Sequence, residues 1–199
     1  MASSTQNLEE MYENLSFEEE EGVLFDEREG GCQQNTYILV GSFLTVKNIN
    51  FMAMQSMMAS LWIPREGVEI HDLGNHRYSF VFFHSLDIQK VIDGGPWSFE
   101  SNPLVYHRLR AMEDANLVPL NKMEIWVQVH DLPSGMVSEK ILDSIGSQVG
   151  DVIKLDPTDT NGMWKQYMRI RVALNIEKPL KRRIKLKREN GSWSWINFK

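Results

Sequence analysis

Cysteine is almost missing from this 199-residue chain, and the single Cys32 can neither close an internal disulfide nor build a cysteine-rich zinc site alone. Long apolar runs are missing as well. Charged residues interrupt every hydrophobic stretch short of the roughly 20 residues a membrane helix requires, so no membrane span is expected. The opening MASSTQNLEEMYENLSFEEEEG lacks the basic start and apolar centre of a secretory signal. The expected compartment is a reducing one, nucleus or cytoplasm. Basic residues are scarce at the front, where residues 1–35 hold ten carboxylates against Arg28 alone.

What the front lacks, the end has in excess. Residues 165–199 hold eleven Lys or Arg against Glu177 and Glu189, within a formal net charge of -6 for the whole chain. Binding responds to local fields more than to totals. The basic end is therefore the expected contact for an anionic partner. The Glu-rich stretch 1–34 has little to bury and reads as a disordered acidic tail, either a solubilising leader or an acidic mimic competing for the basic end.

With 42% apolar residues, the remainder can bury one sizeable core or two small ones. TYILVGSF alternates as a strand. Asn50 can cap a helix in which Met54, Met57, Met58, Leu61 and Trp62 recur at helical spacing before Pro64. Two strands follow, Val68–Leu73 and Arg77–Phe83, about a Gly74-Asn75 turn. Ser85 can cap a second helix that Gly94, Gly95 and Pro96 end, and Pro103–Leu109 supplies a last strand. The order β-α-β-β-α-β predicts an α+β fold of the split, ferredoxin-like kind across 35–111.

A linker at 112–122 leads to a smaller α+β unit, 123–199. It combines a strand Ile125–His130, a helix over Ser138–Val149 with Gly150 as its cap, a short strand DVIKLD, and the alternating YMRIRVALNI with Arg169 and Arg171 on a wet face. Asn190-Gly191 predicts a terminal hairpin with a two-residue turn. That turn would set Arg188 opposite Trp193 and Leu186 opposite Trp195. Lys185 and Lys187 would then occupy the face away from the tryptophans, which pack inward while Arg188 covers Trp193.

LVGSFLTVKNINFMAMQSMMASLW, GGPWSF, WVQVHDLP and the terminal YMRIRVALNIEKPLKRRIKLKRENGSWSWINFK together resemble the plant family called domain of unknown function 4283. The resemblance implies a nucleic-acid-binding protein of the type encoded by LINE-like retrotransposons, often followed by a CCHC zinc knuckle. One cysteine cannot build a knuckle, so neither zinc nor any other cofactor is carried over.

HRYSFVFF, at 76–83, partly matches the third-strand signature of an RNA recognition motif, whose aromatics stack bases. In that RRM-like reading Tyr78 and Phe80 lie on an open sheet face with Tyr37, Leu39 and Phe82. Such a face is more apolar than a stacking platform, so it either stacks bases or is covered by the second unit or another protein.

The five histidines have no metal-ligand spacing, and Gly94-Gly95-Pro96-Trp97 follows a helix and lacks a phosphate-loop ending. Glu18 to Glu21 would need ordering to hold a cation. Trp62, Trp97 and Trp126 read as core residues. No catalytic constellation can be assembled, and the chain reads as non-enzymatic.

The expected function is binding of RNA or another single-stranded nucleic acid. Arg169, Arg171, Lys181, Arg182, Arg183, Lys185, Lys187 and Arg188 would contact phosphates, and Tyr78, Phe80, Trp193 or Trp195 would stack bases. Alternatively, the basic run is a solvated hairpin edge and the chain a protein-interaction adaptor, using its apolar sheet face or Met-rich helix.

Overall fold

Alternation of apolar side chains from Tyr37 onward builds the first strand, and everything in the first unit is assembled around it. The computed structural model describes residues 36–157, 166–187 and 191–199. The expectations for the tail 1–34, for Arg188 and for a turn at Asn190 lie outside the described residues.

The first unit runs β1 (Tyr37–Phe43), α1 (Phe51–Trp62), β2 (Val68–Gly74), β3 (Arg77–Phe82), α2 (Ser85–Gly94), β4 (Ser98–Phe99) and β5 (Asn102–Arg108). Its antiparallel sheet has the order β2-β3-β1-β5-β4, the split β-α-β-β-α-β arrangement with a two-residue strand added at one edge. The second unit runs β6 (Lys122–His130), α3 (Glu139–Gly146), β7 (Asp151–Leu155), β8 (Tyr167–Asn175), β9 (Arg183–Lys187) and β10 (Trp193–Phe198), with sheet order β7-β8-β6-β10-β9. The fold is α+β. Among the described residues, no helix is long and apolar enough to cross a membrane.

Caps explain the helix starts. Asn50 Oδ1 accepts from the Ala53 amide at 3.2 Å to open α1. At α2 the cap is His84, whose Nδ1 accepts from Leu86 N at 3.0 Å, so Ser85 is the first helical residue instead of the cap. In α1 only Met54, Met58 and Trp62 are buried, whereas Met57 and Leu61 flank that stripe and stay exposed.

The sheet phase is opposite to the expected one. Leu39, Tyr78, Phe80 and Phe82 are buried with Met54, Met58, Trp62, Ile88 and Val91 in the core beneath the two helices. Trp62 meets Phe80 edge-on at 5.1 Å between ring centroids and Phe82 at 5.7 Å. The three large aromatics of β3 fill the volume between sheet and helices, where they bury most apolar area. Tyr78 and Phe80 are therefore withdrawn as stacking residues.

The other face of this sheet carries Val40, Ser79 and Val105, all buried. A segment of chain lies over it. Arg77, on that face, donates to the carbonyls of Ala115 and Val118 at 3.1 and 3.0 Å, and His107 Nε2 lies 2.8 Å from Glu113. Val118 is buried in turn. The cover is thus part of the stretch read as a linker.

In the second unit the helix stops at Gly146, and Gly150, whose amide donates to the Gly146 carbonyl at 3.0 Å in the closing turn, is also demanded by close packing. A Cβ on Gly150 would sit 2.5 Å from the carbonyl oxygen of Ala173, a backbone atom that cannot swing aside. Gly150→Ala is expected to cost about 1–3 kcal/mol through this overlap, read as a lowered urea midpoint with an unchanged slope. An unchanged midpoint would mean that β7 and β8 separate without penalty.

Candidate nucleic-acid interface

Sheet register decides which side chains of the terminal hairpin share a face. Trp193 pairs with Lys187, Trp195 with Lys185 and Asn197 with Arg183. Facing residues of an antiparallel pair project to the same side, so the cations and the tryptophans are companions. This corrects the register expected from a two-residue turn by one position. Five residues, 188–192, lie between the paired Lys187 and Trp193, and a one-residue shift exchanges every side chain between faces.

The hydrophobic inventory accounts for the choice. In the observed register Ile184, Leu186 and Phe198 pack against the second core and Ile196 is fully buried within it. The expected register would have put tryptophans beside Ile184 and Leu186. Instead Trp193 and Trp195 stay 59% and 45% exposed.

Each exposed indole is roofed by a cation. Arg183 lies 4.3 Å from the Trp195 ring centroid, Lys185 lies 5.1 Å from Trp195 and 6.0 Å from Trp193, and Lys187 lies 5.6 Å from Trp193. Such contacts contribute roughly 0.5–1 kcal/mol each at exposed sites. They are strong enough to bias the side chains and weak enough to be exchanged for phosphate.

The hairpin is held at one end. β10 pairs with β6 at Asn197 to His130 and Phe198 to Val129, and Lys199 and Gln128 exchange backbone hydrogen bonds of 2.7 and 3.1 Å. The residues from Trp193 to Ile196 extend past the end of β6. The surface continues onto His130 and Tyr167, whose rings are 5.2 Å apart.

The remaining sequence-nominated cations are dispersed. Arg169 forms an ion pair with the buried Asp156 and lies 5.4 Å over Trp126. Arg171 is 1% exposed. Its Nε and Nη2 donate to Glu124 at 3.1 and 3.0 Å, its Nη1 donates to the Asp93 carbonyl at 2.9 Å, and Nη2 also donates to the Ile92 carbonyl. Those carbonyls end α2, where a guanidinium satisfies orphan acceptors and the helix dipole together.

Arg171 is thereby removed from the phosphate set, because it has no access to solvent and its guanidinium is engaged by Glu124 and the end of α2. The strand face expected to be wet is covered at this point by the end of α2. Lys181 and Arg182 are exposed ahead of β9, but Lys181 lines a cavity with Lys122 and Lys178. Arg188 lies outside the described residues.

Trp126, expected in the core, belongs to this face instead, and Lys154 joins it. Trp126 is only half-buried and takes Lys154 at 5.8 Å from its ring centroid as well as Arg169. Lys154 is in turn paired with Asp93 at 2.8 Å. The alternation of β6 was the available signal, since it places Trp126 opposite the face of Val127 and Val129. Among the described residues, no group of three His, Cys, Asp or Glu side chains is gathered as metal ligands would be.

No curated protein matches the chain. Residues 31–116 match the family model described as Domain of unknown function (DUF4283). The split β-α-β-β-α-β unit of this chain is therefore a domain of the DUF4283 family.

Proposed function

We propose that this chain is a non-enzymatic nucleic-acid-binding module of the retrotransposon-derived type, acting in nucleus or cytoplasm on RNA or another single strand. One observation carries the reading. Arg183, Lys185 and Lys187 share an exposed hairpin face with Trp193 and Trp195, pairing phosphate-binding charge with base-stacking surface. The two indoles stand two residues apart on one strand, about 7 Å, a spacing suited to unpaired bases and unsuited to closed duplex.

Anisotropy of labelled single-stranded RNA at two salt concentrations tests it. The intact chain should bind more weakly at the higher salt, and Lys185→Glu with Lys187→Glu should lose on the order of tenfold in affinity and part of the salt slope. Trp193→Ala with Trp195→Ala should lose more, at least about thirtyfold for two stacks at about 1–3 kcal/mol per base, with the slope retained. Equal affinity of the lysine variant and the intact chain, or no binding at low salt, overturns the proposal.

A protein-adaptor reading keeps one supporting observation. Met57 and Leu61, one helical turn apart on α1, are exposed, an apolar surface with no cover among the described residues. Its sheet-face variant is withdrawn, because the apolar face of the first sheet is buried beneath the two helices.

A further inference from the structure

Lys122, at the start of β6, stands in the wall of two cavities. One, of 510 Å³, opens between the end of β5 and the second sheet and is lined by Arg108 and Arg110. The other, of 350 Å³, lies beyond the end of α3 and is lined by Lys178 and Lys181. Lys122 and Ala173 line both, so the two cavities adjoin as neighbouring lobes of one basic, trough-like surface. Lys122 is eight residues from His130 along β6, about 27 Å, so the trough and the hairpin cluster sit toward opposite ends of the second sheet.

The charges in its walls do not cancel. The carboxylates in or beside the walls are Glu124 and Glu113 at the first lobe, the latter held by His107 Nε2 at 2.8 Å and the Arg110 amide at 2.9 Å, and Asp151 at the second. Glu124 is engaged by Arg171, and Asp151 is held by Lys122 at 2.6 Å. Arg108, Arg110, Lys178 and Lys181 are exposed and have no carboxylate at ion-pair distance among the described residues. Hydrogen bonding to Lys122 holds the Asp151 carboxyl below the usual range, and the charge of Lys178 adds to the effect.

Cations gathered around a concave surface repel one another, and of these four only Arg108 has a ring contact, 5.9 Å from the Tyr37 centroid. Concave walls concentrate their field and favour an anion that neutralises several charges at once. A phosphodiester chain does this with successive phosphates, and Tyr106, Ala173 and Leu180 in the same walls give apolar surface for sugar and base.

We propose that this trough is a second nucleic-acid contact, taking the phosphodiester backbone of the strand whose other part lies on the hairpin. The inference rests on the nucleic-acid reading above and adds a site to it. A strand must then be long to use both contacts. Short strands report the hairpin alone.

The test compares labelled single-stranded RNA of about 4 and about 30 nucleotides, the shorter at the low end of the site size of a single groove and too short to span both contacts, on the intact chain and on Arg110→Gln with Lys178→Gln. The long strand should bind the variant several-fold more weakly, with a salt slope smaller by about 1.4 for two lost phosphate contacts. The short strand should bind it nearly as well as it binds the intact chain. Arg108→Gln with Lys181→Gln must reproduce the pattern, which guards against a folding defect in one variant.

If the long strand keeps its affinity and slope on both glutamine variants while Lys185→Glu with Lys187→Glu weakens it, the trough is overturned and the hairpin proposal stands. Failure of either strand to bind the intact chain overturns both.

Discussion

Replacing Arg171 with methionine is expected to lower the free energy of unfolding by about 3 kcal/mol. The guanidinium is 1% exposed and its donors are directed to Glu124 and to the Ile92 and Asp93 carbonyls. Methionine fills much of the volume but leaves Glu124 and the Asp93 carbonyl without the guanidinium and the Ile92 carbonyl with the Tyr106 hydroxyl alone, and breaking a buried charged network from one side is costly. Arg171→Lys should recover only part of the loss, because an ammonium cannot fork between a carboxylate and a helix end. Urea denaturation of both variants measures this. A loss below about 1 kcal/mol in the methionine variant would show that water replaces the guanidinium at little cost, and that the end of α2 does not depend on it.

Phe80→Ala should cost about 3–5 kcal/mol. Phe80 is wholly buried against Trp62, with Leu39 beside it in the same core. The magnitude separates two pictures of the first sheet. A phenylalanine on an open stacking face would leave stability nearly unchanged on truncation and would reduce RNA affinity instead. A buried one does the reverse, provided binding is measured well below the lowered melting temperature. Retention of stability would return Phe80 to the surface and reverse the sheet phase described above.

Local pattern made the element order legible. The alternation at Tyr37, the i, i+4 methionines of α1, the Gly74 turn and the glycine stop after α2 each depend on neighbours within a few residues, so the split β-α-β-β-α-β order could be read directly. Facing was not legible. Alternation divides a strand into two sets of side chains without saying which set lies under the helices, and in β3 the smaller set of Ser79 and Val81 was as compatible with burial as the aromatic one. The cover by residues 109–121 was equally hidden, because it depends on Arg77 reaching carbonyls 38 and 41 residues away.

The candidate site was legible in composition and misread in arrangement. Arg183, Lys185, Lys187, Trp193 and Trp195 were nominated, but the Asn190-Gly191 pair suggested a register that separated charge from indole. What overrules that local preference is burial of Ile184, Leu186 and Ile196 on the second core, a tertiary demand that a dipeptide cannot express. Arg171 failed for a related reason. Its strand pattern is the same as that of Arg169, and only the approach of α2 distinguishes a buried arginine from an exposed one. Arg108, Arg110, Lys122 and Lys178 are too scattered along the chain to form a cluster before it folds.

The ammonium groups above the hairpin indoles have an optical consequence. Trp193 and Trp195 are half open to water beneath positive charge, whereas Trp62 is sealed in the first core. Emission from the hairpin pair is accordingly long in wavelength and open to collisional quenching, while the sealed indole emits at shorter wavelength and is protected. The local charge draws iodide toward the hairpin and turns caesium away. A bound polyanion would reverse that preference, so the chain reports occupancy of this face through its own fluorescence without an attached label.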